Sequence, residues 1–458
     1  MNICLFCGVL VGALVVTGSP ALGQDGNPGV KELQKQLNRL TDRLDTMEQA
    51  HRDDQARIQS LENQLANQAP PTASPPGADP WEEAMGETLQ TLVPTDEGGG
   101  TWGQGNLYNP AITAHLDMGG GISSNKTRKD INRLNLREAE LDIRGAVAPM
   151  ADAVLILTMG EEISTLPGGG IDINRVFDIE EGYVNFHSLP HDLTLKVGKF
   201  RNAFGQNNRL HTHALPQVTR PLAVEAFLGP EGLATTGASL SWLVPNPWDK
   251  YFELTAEVVN ANGGPESPIL GGPNADNPAI VTHFKFFDDV GENGTLELGG
   301  SYLYARTSDN HKFDANLFGL DATYLWIDPD APDDRSLLLQ SEFFWAANDI
   351  ENSPFGSLRN HSFGYYAFAQ YQFDRNWFTG VRFDYTEFPD LSAHSPGDAD
   401  WAISPYLTWY PFEFIRLRAE YQHRNFEVGG IRDDEDNFLL GLSFTFGAHP
   451  THPYFVNR

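Results

Sequence analysis

The chain has almost no cysteine and no hydrophobic run long enough for a membrane helix. Its 458 residues include two cysteines, Cys4 and Cys7. The segment Ile3–Val16 comes closest to the ~20 apolar residues that a spanning helix requires, and it lies where a signal peptide has its apolar core. Ala21-Leu22-Gly23 then predicts cleavage before Gln24, so residues 1–23 are interpreted as a signal peptide. The mature chain would have no thiol, which excludes disulfides and cysteine metal sites.

A second reading of the N-terminus stays open, because Cys7 is a possible lipid-attachment site. The residues before it, Cys4-Leu5-Phe6, lack the small side chains that such sites use. A cleaved secretory signal therefore remains the preferred interpretation.

Positive charge is also scarce. The chain has 31 Lys and Arg against 61 Asp and Glu, a formal net charge of −30. Residues 24–105 hold 6 basic and 14 acidic side chains, or −8, and residues 1–23 hold none, which leaves −30 + 8 = −22 for the rest. A chain this acidic is a poor partner for nucleic acid. In a pore, the same excess predicts a preference for cations.

Two segments precede the main domain. Residues 24–67 have apolar side chains at steps of three and four, including Leu33, Leu37 and Leu40, which is the seam of a coiled coil. His51 and Asp54 occupy polar seam positions, and we expect a homotrimer, with other oligomers or a single amphipathic helix left open. Residues 68–105 form a Pro/Gly-rich linker that is extended and semi-rigid.

Residues 106–446 show the period-two alternation of β-strands. Polar and apolar side chains alternate in segments joined by turns, as in Ile415 to Tyr421. Sixteen such segments predict an all-β fold, a sixteen-stranded antiparallel transmembrane β-barrel, in which no strand edge is left unpaired in lipid. Aromatic residues at strand ends, such as Trp377 and Trp409/Tyr410, predict interfacial girdles. Residues 447–458 are read as a tail.

The connections alternate between short and long, and this alternation predicts the orientation. Short turns follow even-numbered strands, whereas long loops are expected elsewhere, including 348–357 and 427–437, the latter carrying Asp433 to Asp436. We expect both chain ends in the periplasm, the barrel in contact with outer-membrane lipid, and the coiled coil positioned to contact the cell wall. The expected location is thus the cell outer membrane, with a periplasmic N-terminal region.

Charged residues at alternate strand positions are candidates for the lumen wall. The period-two pattern turns these residues away from the apolar face, and the predicted lumen-facing set is Glu140, Asp142, Arg144, Glu253, Glu257, Glu297, Arg382 and Asp384.

The third long loop, residues 201–232, is expected to fold into the lumen. Phe204 and Phe227 would anchor it to the barrel wall, and the predicted pore constriction is formed by Arg201, Arg209, His211, His213, Arg220 and Glu225. His211 and His213 can bind zinc together with a carboxylate. The alternative is that both histidines form hydrogen bonds with the wall.

Three stretches of the barrel carry a resemblance to a known family. Leu136–Gly145, Glu181–Phe186 and Leu195–Gly205, the last with the motif Gly198-Lys199-Phe200-Arg201, are similar to the phosphate-selective porin O/P family of outer-membrane barrels. The segment His211–Phe227 resembles a group of zinc-regulated outer-membrane proteins. The resemblance implies a trimeric sixteen-stranded porin whose third loop enters the lumen. Members of the O/P family line their pore with many Arg and Lys, whereas this chain is strongly acidic.

Together these features predict an outer-membrane porin that lets small polar solutes or ions diffuse passively, with a leaning towards cations. Two alternatives stay open, an outer-membrane metal (zinc) uptake protein and a tether from outer membrane to cell wall through the coiled coil. No nucleophile, base and orienting group converge in a recognisable constellation, so we expect no enzyme activity and no cofactor.

Overall fold

The computed structural model describes residues 110–447 except 127, 129–130, 166–170, 249, 262–266, 271–276, 307–312, 353–355 and 392–393. The predicted signal peptide, coiled coil and linker lie outside the described residues, as does the predicted tail apart from Gly447. Their boundaries stay predictions. No helix among the described residues is long and apolar enough to span a bilayer.

Sixteen antiparallel strands form one closed barrel, as predicted. Each strand pairs with its neighbours in sequence, and β1 pairs with β16 to close the ring. The strands are β1 Ala111–Ser123, β2 Leu134–Ala148, β3 Ala151–Thr165, β4 Ile171–Leu189, β5 Leu193–Arg201, β6 Ala234–Leu243, β7 Tyr251–Asn260, β8 Pro278–Val290, β9 Gly294–Arg306, β10 Asp314–Ile327, β11 Ser336–Asn352, β12 Gly356–Asp374, β13 Trp377–Glu387, β14 Ala399–Phe412, β15 Ile415–Val428 and β16 Ile431–Gly447.

Polarity alternates along the strands in the sense opposite to that of a soluble protein. Leu417 on β15 is 38% exposed on the outside, whereas its neighbours Arg416 and Arg418 are almost completely buried inside the barrel. The same inversion holds for Val381 beside Arg382. Apolar side chains that face outwards around a closed barrel match the surface of a membrane-spanning barrel.

Aromatic side chains cluster on the outer face near strand ends. Trp377 and Trp409 are direct cross-strand partners, and their rings stack with centroids 5.2 Å apart. Tyr410 differs from the prediction, because the next position along a strand points to the opposite face. It is buried and packs edge-on against Phe378, with centroids 5.6 Å apart.

Two connections predicted to be long loops are short in the structure. Strands β11 and β12 extend to Asn352 and Gly356. Strands β15 and β16 meet at Gly429-Gly430, where φ angles of +61° and +77° form a two-residue hairpin turn. The acidic run from Asp433 to Asp436 therefore lies on β16, paired with β15, and is not in a loop. The glycine pair is the physical reason, because positive φ at both positions lets the strands pair up to the turn.

The connection between β5 and β6, residues 202–233, is called the third loop from here on. It contains two short 3-10 turns, Asn207–Arg209 and Thr212–Ala214, and the helix α1, Leu222–Leu228. Phe204, Val224 and Phe227 of this loop are fully buried against side chains of the barrel wall, among them Leu317 and Phe344. The main hydrophobic core is thus inside the barrel, between the third loop and the wall.

Candidate functional site: the lumen and its third loop

Carboxylates of the inner wall bind the backbone of the third loop. Glu342 on β11 accepts hydrogen bonds from the backbone N–H groups of Gln206 (3.1 Å) and Asn207 (2.6 Å). Glu420 on β15 likewise accepts from Val218 (2.7 Å) and Thr219 (2.9 Å). An irregular loop enclosed in a barrel lacks the pairing of a regular element, so buried N–H groups need such partners.

Arginines of the wall satisfy carbonyl groups of the same loop. Arg418 donates to the carbonyl oxygens of Leu215 (3.0 Å) and Gln217 (2.8 Å), and Arg416 donates to that of His213. The carboxylates of the wall thus accept hydrogen bonds from N–H groups of the loop, and the arginines of the wall donate hydrogen bonds to its carbonyl groups. This arrangement fixes the loop position although little of the loop is regular secondary structure.

Aromatic packing holds the other side of the loop. Phe204 and Phe227 stack on Phe344 of β11, with ring centroids 6.0 Å and 5.5 Å apart. A Cβ atom at Gly319 would lie 2.7 Å from the Phe204 ring, and one at Gly364 would lie 2.9 Å from the Phe227 ring. Glycine at these two strand positions leaves the room that the loop aromatics occupy.

A cluster of histidines and glutamates joins the loop to β2 and β4. His211 Nδ1 lies 3.2 Å from Glu140 Oε2 and 3.0 Å from Glu180 Oε1, and His211 Nε2 lies 2.9 Å from Glu181 Oε1. His213 Nδ1 lies 3.4 Å from Glu140 Oε2. The two predicted metal ligands are therefore brought together at a set of wall carboxylates.

The electrostatics of these loop histidines favour their charged form. Burial and Arg201 oppose protonation of His211, but Glu140 and Glu181 outweigh them and raise its pKa to about 9. Burial also opposes protonation of His213, yet the carboxylates of Glu138 and Glu140 raise its pKa. In the absence of a competing cation, imidazolium–carboxylate pairs thus hold the loop to this part of the wall.

A β-bulge explains why two consecutive glutamates both face inwards. Ile156 of β3 pairs with Glu181 and Leu157 pairs with Ile179, so Glu180 is the extra residue in β4. Without the bulge, period-two alternation would turn one of the pair outwards. The bulge adds a carboxylate to the cluster beside Arg201, whose guanidinium forms an ion pair with Glu180.

Two cavities of the lumen lie along the inner faces of β4 to β7. A cavity of about 300 Å³ there is lined by three carboxylates (Glu181, Glu253 and Glu257) and three cations (Lys196, Arg201 and Arg209), together with polar neutral side chains. A second cavity of about 350 Å³ lies at the loop end of the same strands. Arg201 lines both cavities, together with Glu181, Glu253 and Glu257 in the first and with Asp178, Glu180 and Glu231 in the second.

The predicted lumen-facing residues lie on the inner face of the wall. Glu140, Asp142, Glu257, Glu297, Arg382 and Asp384 are buried within the barrel, Glu253 lines the first cavity, and Arg144 donates to Asp142 (2.8 Å). Several are paired and not free in the lumen. Glu297 binds Lys285 at 3.0 Å and Arg382 binds Asp384 at 2.7 Å.

Two predicted constriction residues have surroundings that the sequence did not indicate. The guanidinium of Arg220 donates to loop carbonyl groups, including those of Leu210 (2.9 Å) and Pro230 (3.1 Å). Glu225 lies on α1, enclosed by the barrel, and burial raises its pKa to about 7. Arg201 ends β5 and the other five predicted constriction residues lie in the third loop; the role of all six as a constriction stays a prediction.

Sequence reasoning missed several residues that hold the site together. His115, Glu138, Glu342, Arg416, Arg418 and Glu420 all contact or surround the third loop. Period-two alternation indicates that such residues face the lumen, but it does not indicate which strand lies next to which part of a loop.

Comparison with known proteins gives structural neighbours and a sequence relative. No family model matches the chain. Among solved structures, the chain is similar to an anion-selective porin from Comamonas acidovorans (TM-score 0.48, 10% identity, 74% of this chain and 99% of that one). It is also similar to the outer membrane channel DcaP of Acinetobacter baumannii (0.47, 11%, 74% and 96%) and to OprB of Pseudomonas putida (0.47, 11%, 80% and 97%). At scores below 0.5, the barrel architecture rests on the strand pairing of the chain itself.

The sequence relative is an uncharacterized protein of Aquifex aeolicus. The two are 30% identical over 347 residues, which cover 70% of each chain. Identity at this level over this length reflects a shared fold and not a shared short motif, so the chain belongs to the same protein family as this Aquifex aeolicus protein.

Proposed function

We propose that the protein is an outer-membrane porin through which small polar solutes and ions diffuse passively. The observation that carries the proposal is a polar cavity inside a closed barrel whose outer face is apolar. The outer face matches lipid, while the charged inner face stays wetted. Passage then requires only that a solute exchange part of its water for the polar groups of the wall.

The path runs along the inner faces of β4 to β7, and Arg201 is its narrow point. On the other side of the lumen the third loop packs on the wall through Phe204 and Phe227. Arg201 lines the cavities on both sides of this level. Balanced cations and carboxylates there produce a transverse field, which favours small polar solutes over bulky apolar ones.

Conductance of the purified full-length protein in planar bilayers tests the proposal. We expect stepwise, ohmic single-channel currents, and a larger unit conductance for Arg201→Ala. Arg335→Ala is the matched control, because Arg335 lies at a turn with its side chain 56% exposed. An absence of unit currents in the wild type contradicts the pore, whereas an unchanged Arg201→Ala conductance contradicts the proposed path.

Ion selectivity is the finer part of the proposal. The first cavity is balanced in charge, so the leaning towards cations comes from the excess of −22 on the barrel portion and tail. Such a field concentrates cations at the mouths of a pore. Reversal potentials in a KCl gradient should show a modest K⁺ preference that weakens at high salt as the charges are screened. A chloride preference contradicts this.

A further inference from the structure

Seven candidate ligands for a metal ion converge where the third loop meets the first strands of the barrel. Three histidines and four glutamates come from β1, β2, β4 and the loop: His115, Glu138, Glu140, Glu180, Glu181, His211 and His213. Within the described residues, two overlapping sets bring their ligand atoms within 4.8 Å of one another, and Glu140 belongs to both. The set His115, Glu140 and His213 offers two nitrogens and one carboxylate.

The fold places these three ligands without any rearrangement of the backbone. His115 and Glu140 are direct cross-strand partners in the pairing of β1 with β2. The ring of His213 stacks on that of His115, with centroids 4.1 Å apart and an interplanar angle of 10°, so the two rings are neighbours. Because an imidazole nitrogen binds a metal in the plane of its own ring, the His213 ring turns out of this stack when the ion binds. Nδ1 of His115 forms a hydrogen bond with Thr445 Oγ1 (2.9 Å). This hydrogen bond orients the ring and leaves Nε2 as the nitrogen that can bind an ion.

The distances at His213 fit a shared ion better than a hydrogen bond. Its Nδ1 lies 3.4 Å from Glu140 Oε2 and 3.5 Å from Glu138 Oε2, beyond the usual range of about 2.7–3.2 Å. His213 Nδ1 and Glu140 Oε2 are buried and form no hydrogen bond. Ligands held tetrahedrally about 2.0–2.1 Å from zinc lie about 3.3 Å from one another.

The charge of the surroundings also favours a cation. The side chains of Glu138, Glu140 and Glu180 are each less than a tenth exposed, and among the described residues they are paired with Arg201 and with the rings of His211 and His213. Buried carboxylates in such number are costly unless cations accompany them. Neutral imidazole nitrogens select zinc and similar ions, whereas Mg²⁺ prefers oxygen ligands and retains water.

We propose that His115, Glu140 and His213 bind one divalent transition-metal ion of the Zn²⁺ class, with the fourth position open to water. The ion fastens the third loop to β1 and β2 and takes the place of protons on the loop imidazole. This site is additional to the pore, and it stands whether or not the barrel conducts.

Metal binding to the full-length protein in detergent micelles tests this site. After removal of metals with a chelator, titration with Zn²⁺ should show one tight equivalent per chain, and Mg²⁺ should not compete. Co²⁺ bound at the same site should give the intense visible absorption of a tetrahedral ion. Because loss of a partner that only orients a ligand weakens metal affinity about 10- to 100-fold, Glu140→Gln and His213→Asn should each weaken it at least about a hundredfold.

Two further variants serve as controls. His283→Asn changes another buried lumen histidine, which bonds to Ser301 (2.9 Å) outside both ligand sets, and it should bind as the wild type does. His423→Asn, used as a background, removes an exposed histidine beside Asp436 (2.8 Å) that can also take zinc. Folding is checked by the resistance of each barrel to detergent denaturation, and Glu140→Gln conserves shape.

The proposal is overturned if the wild type binds no Zn²⁺. It is also overturned if Glu140→Gln and His213→Asn, both folded, bind as tightly as His283→Asn. Either result would leave the loop histidines as protonated partners of the wall carboxylates, which is the alternative that the sequence left open. Bilayer conductance does not enter this test, so failure of the pore is distinguished from failure of the site.

Discussion

At the scale of single residues, the lumen is organised by pairing of buried charge with buried backbone. Glu420 accepts two loop N–H groups and the hydroxyl of Thr219, and Asp384 accepts the N–H of Leu222. Removing one partner of such a set leaves the others buried and unsatisfied, and this costs more than the pairing itself contributes.

We therefore expect Glu420→Ala to loosen the third loop. The change leaves the N–H groups of Val218 and Thr219 without their acceptor and should cost about 2–5 kcal/mol of unfolding free energy. Urea unfolding measures the loss, and proteolysis within the loop reports its release. Glu297→Ala is the control, since Glu297 pairs with Lys285 and not with the loop. Equal protection of the loop in both variants contradicts the anchoring role.

Glu225 provides a test by pH. Burial raises its pKa to about 7 from an ordinary value of 4.5, so the folded protein holds a proton that the unfolded chain releases. The contribution of this group to stability is present below about pH 4.5, falls between 4.5 and 7, and stays low above that. Glu225→Gln should flatten this decline, measured as urea midpoints at pH 5 and pH 8. If the urea midpoints of the wild type and of Glu225→Gln depend on pH in the same way, the raised pKa of Glu225 is contradicted.

At the scale of elements, the third loop behaves as a packed insert and not as a surface loop. Its aromatic side chains fill one side of the lumen, its backbone is bound by wall side chains, and Arg209 and Arg201 border the cavity on the other side. We therefore expect the size of the open path to depend on how much of the lumen this one connection occupies.

Shortening the loop should widen the path. Replacement of residues 207–219 by two glycines removes both 3-10 turns but keeps Phe204 and α1, and single-channel conductance should rise. As a control, Gly429-Gly430 is replaced by Asn-Gly. This change alters only the turn between β15 and β16 and should leave conductance unchanged. Equal conductance in the wild type and the shortened chain would place the constriction elsewhere.

At the scale of the whole molecule, the structure describes the barrel, whereas the N-terminal region is known from its sequence. The barrel is a closed ring of sixteen strands. The predicted coiled coil, with His51 and Asp54 in its seam, lies outside the described residues, and the homotrimer and the periplasmic position of this region stay predictions.

The coiled coil can be tested directly. Polar seam residues cost stability, so replacing His51 by Leu and Asp54 by Ile together should raise the melting temperature of the helical signal in the full-length protein. Cross-linking should give trimers from the wild type and from the double variant. Loss of trimers after deletion of residues 24–67 would show that this region sets the oligomeric state. An unchanged melting temperature in the double variant would show that positions 51 and 54 face solvent.

The sequence by itself determined the class of fold and the face of each strand. Period-two polarity requires only the local geometry of a strand, so the sixteen strands and the inward side chains of Glu257, Arg382 and Asp384 were predictable. The anchoring positions Phe204 and Phe227 were predictable as well, because large apolar side chains in a loop need a surface to pack on.

Only the tertiary structure decided which residues meet. Glu420 and Val218 are 202 positions apart, and the position of the third loop brings His213 beside His115 of β1. The hairpin at Gly429-Gly430 and the bulge at Glu180 depend on pairing with a neighbouring strand, which local alternation does not specify. The cluster at Glu140 follows from strand register and loop position acting together, since its side chains come from β1, β2, β4 and the third loop.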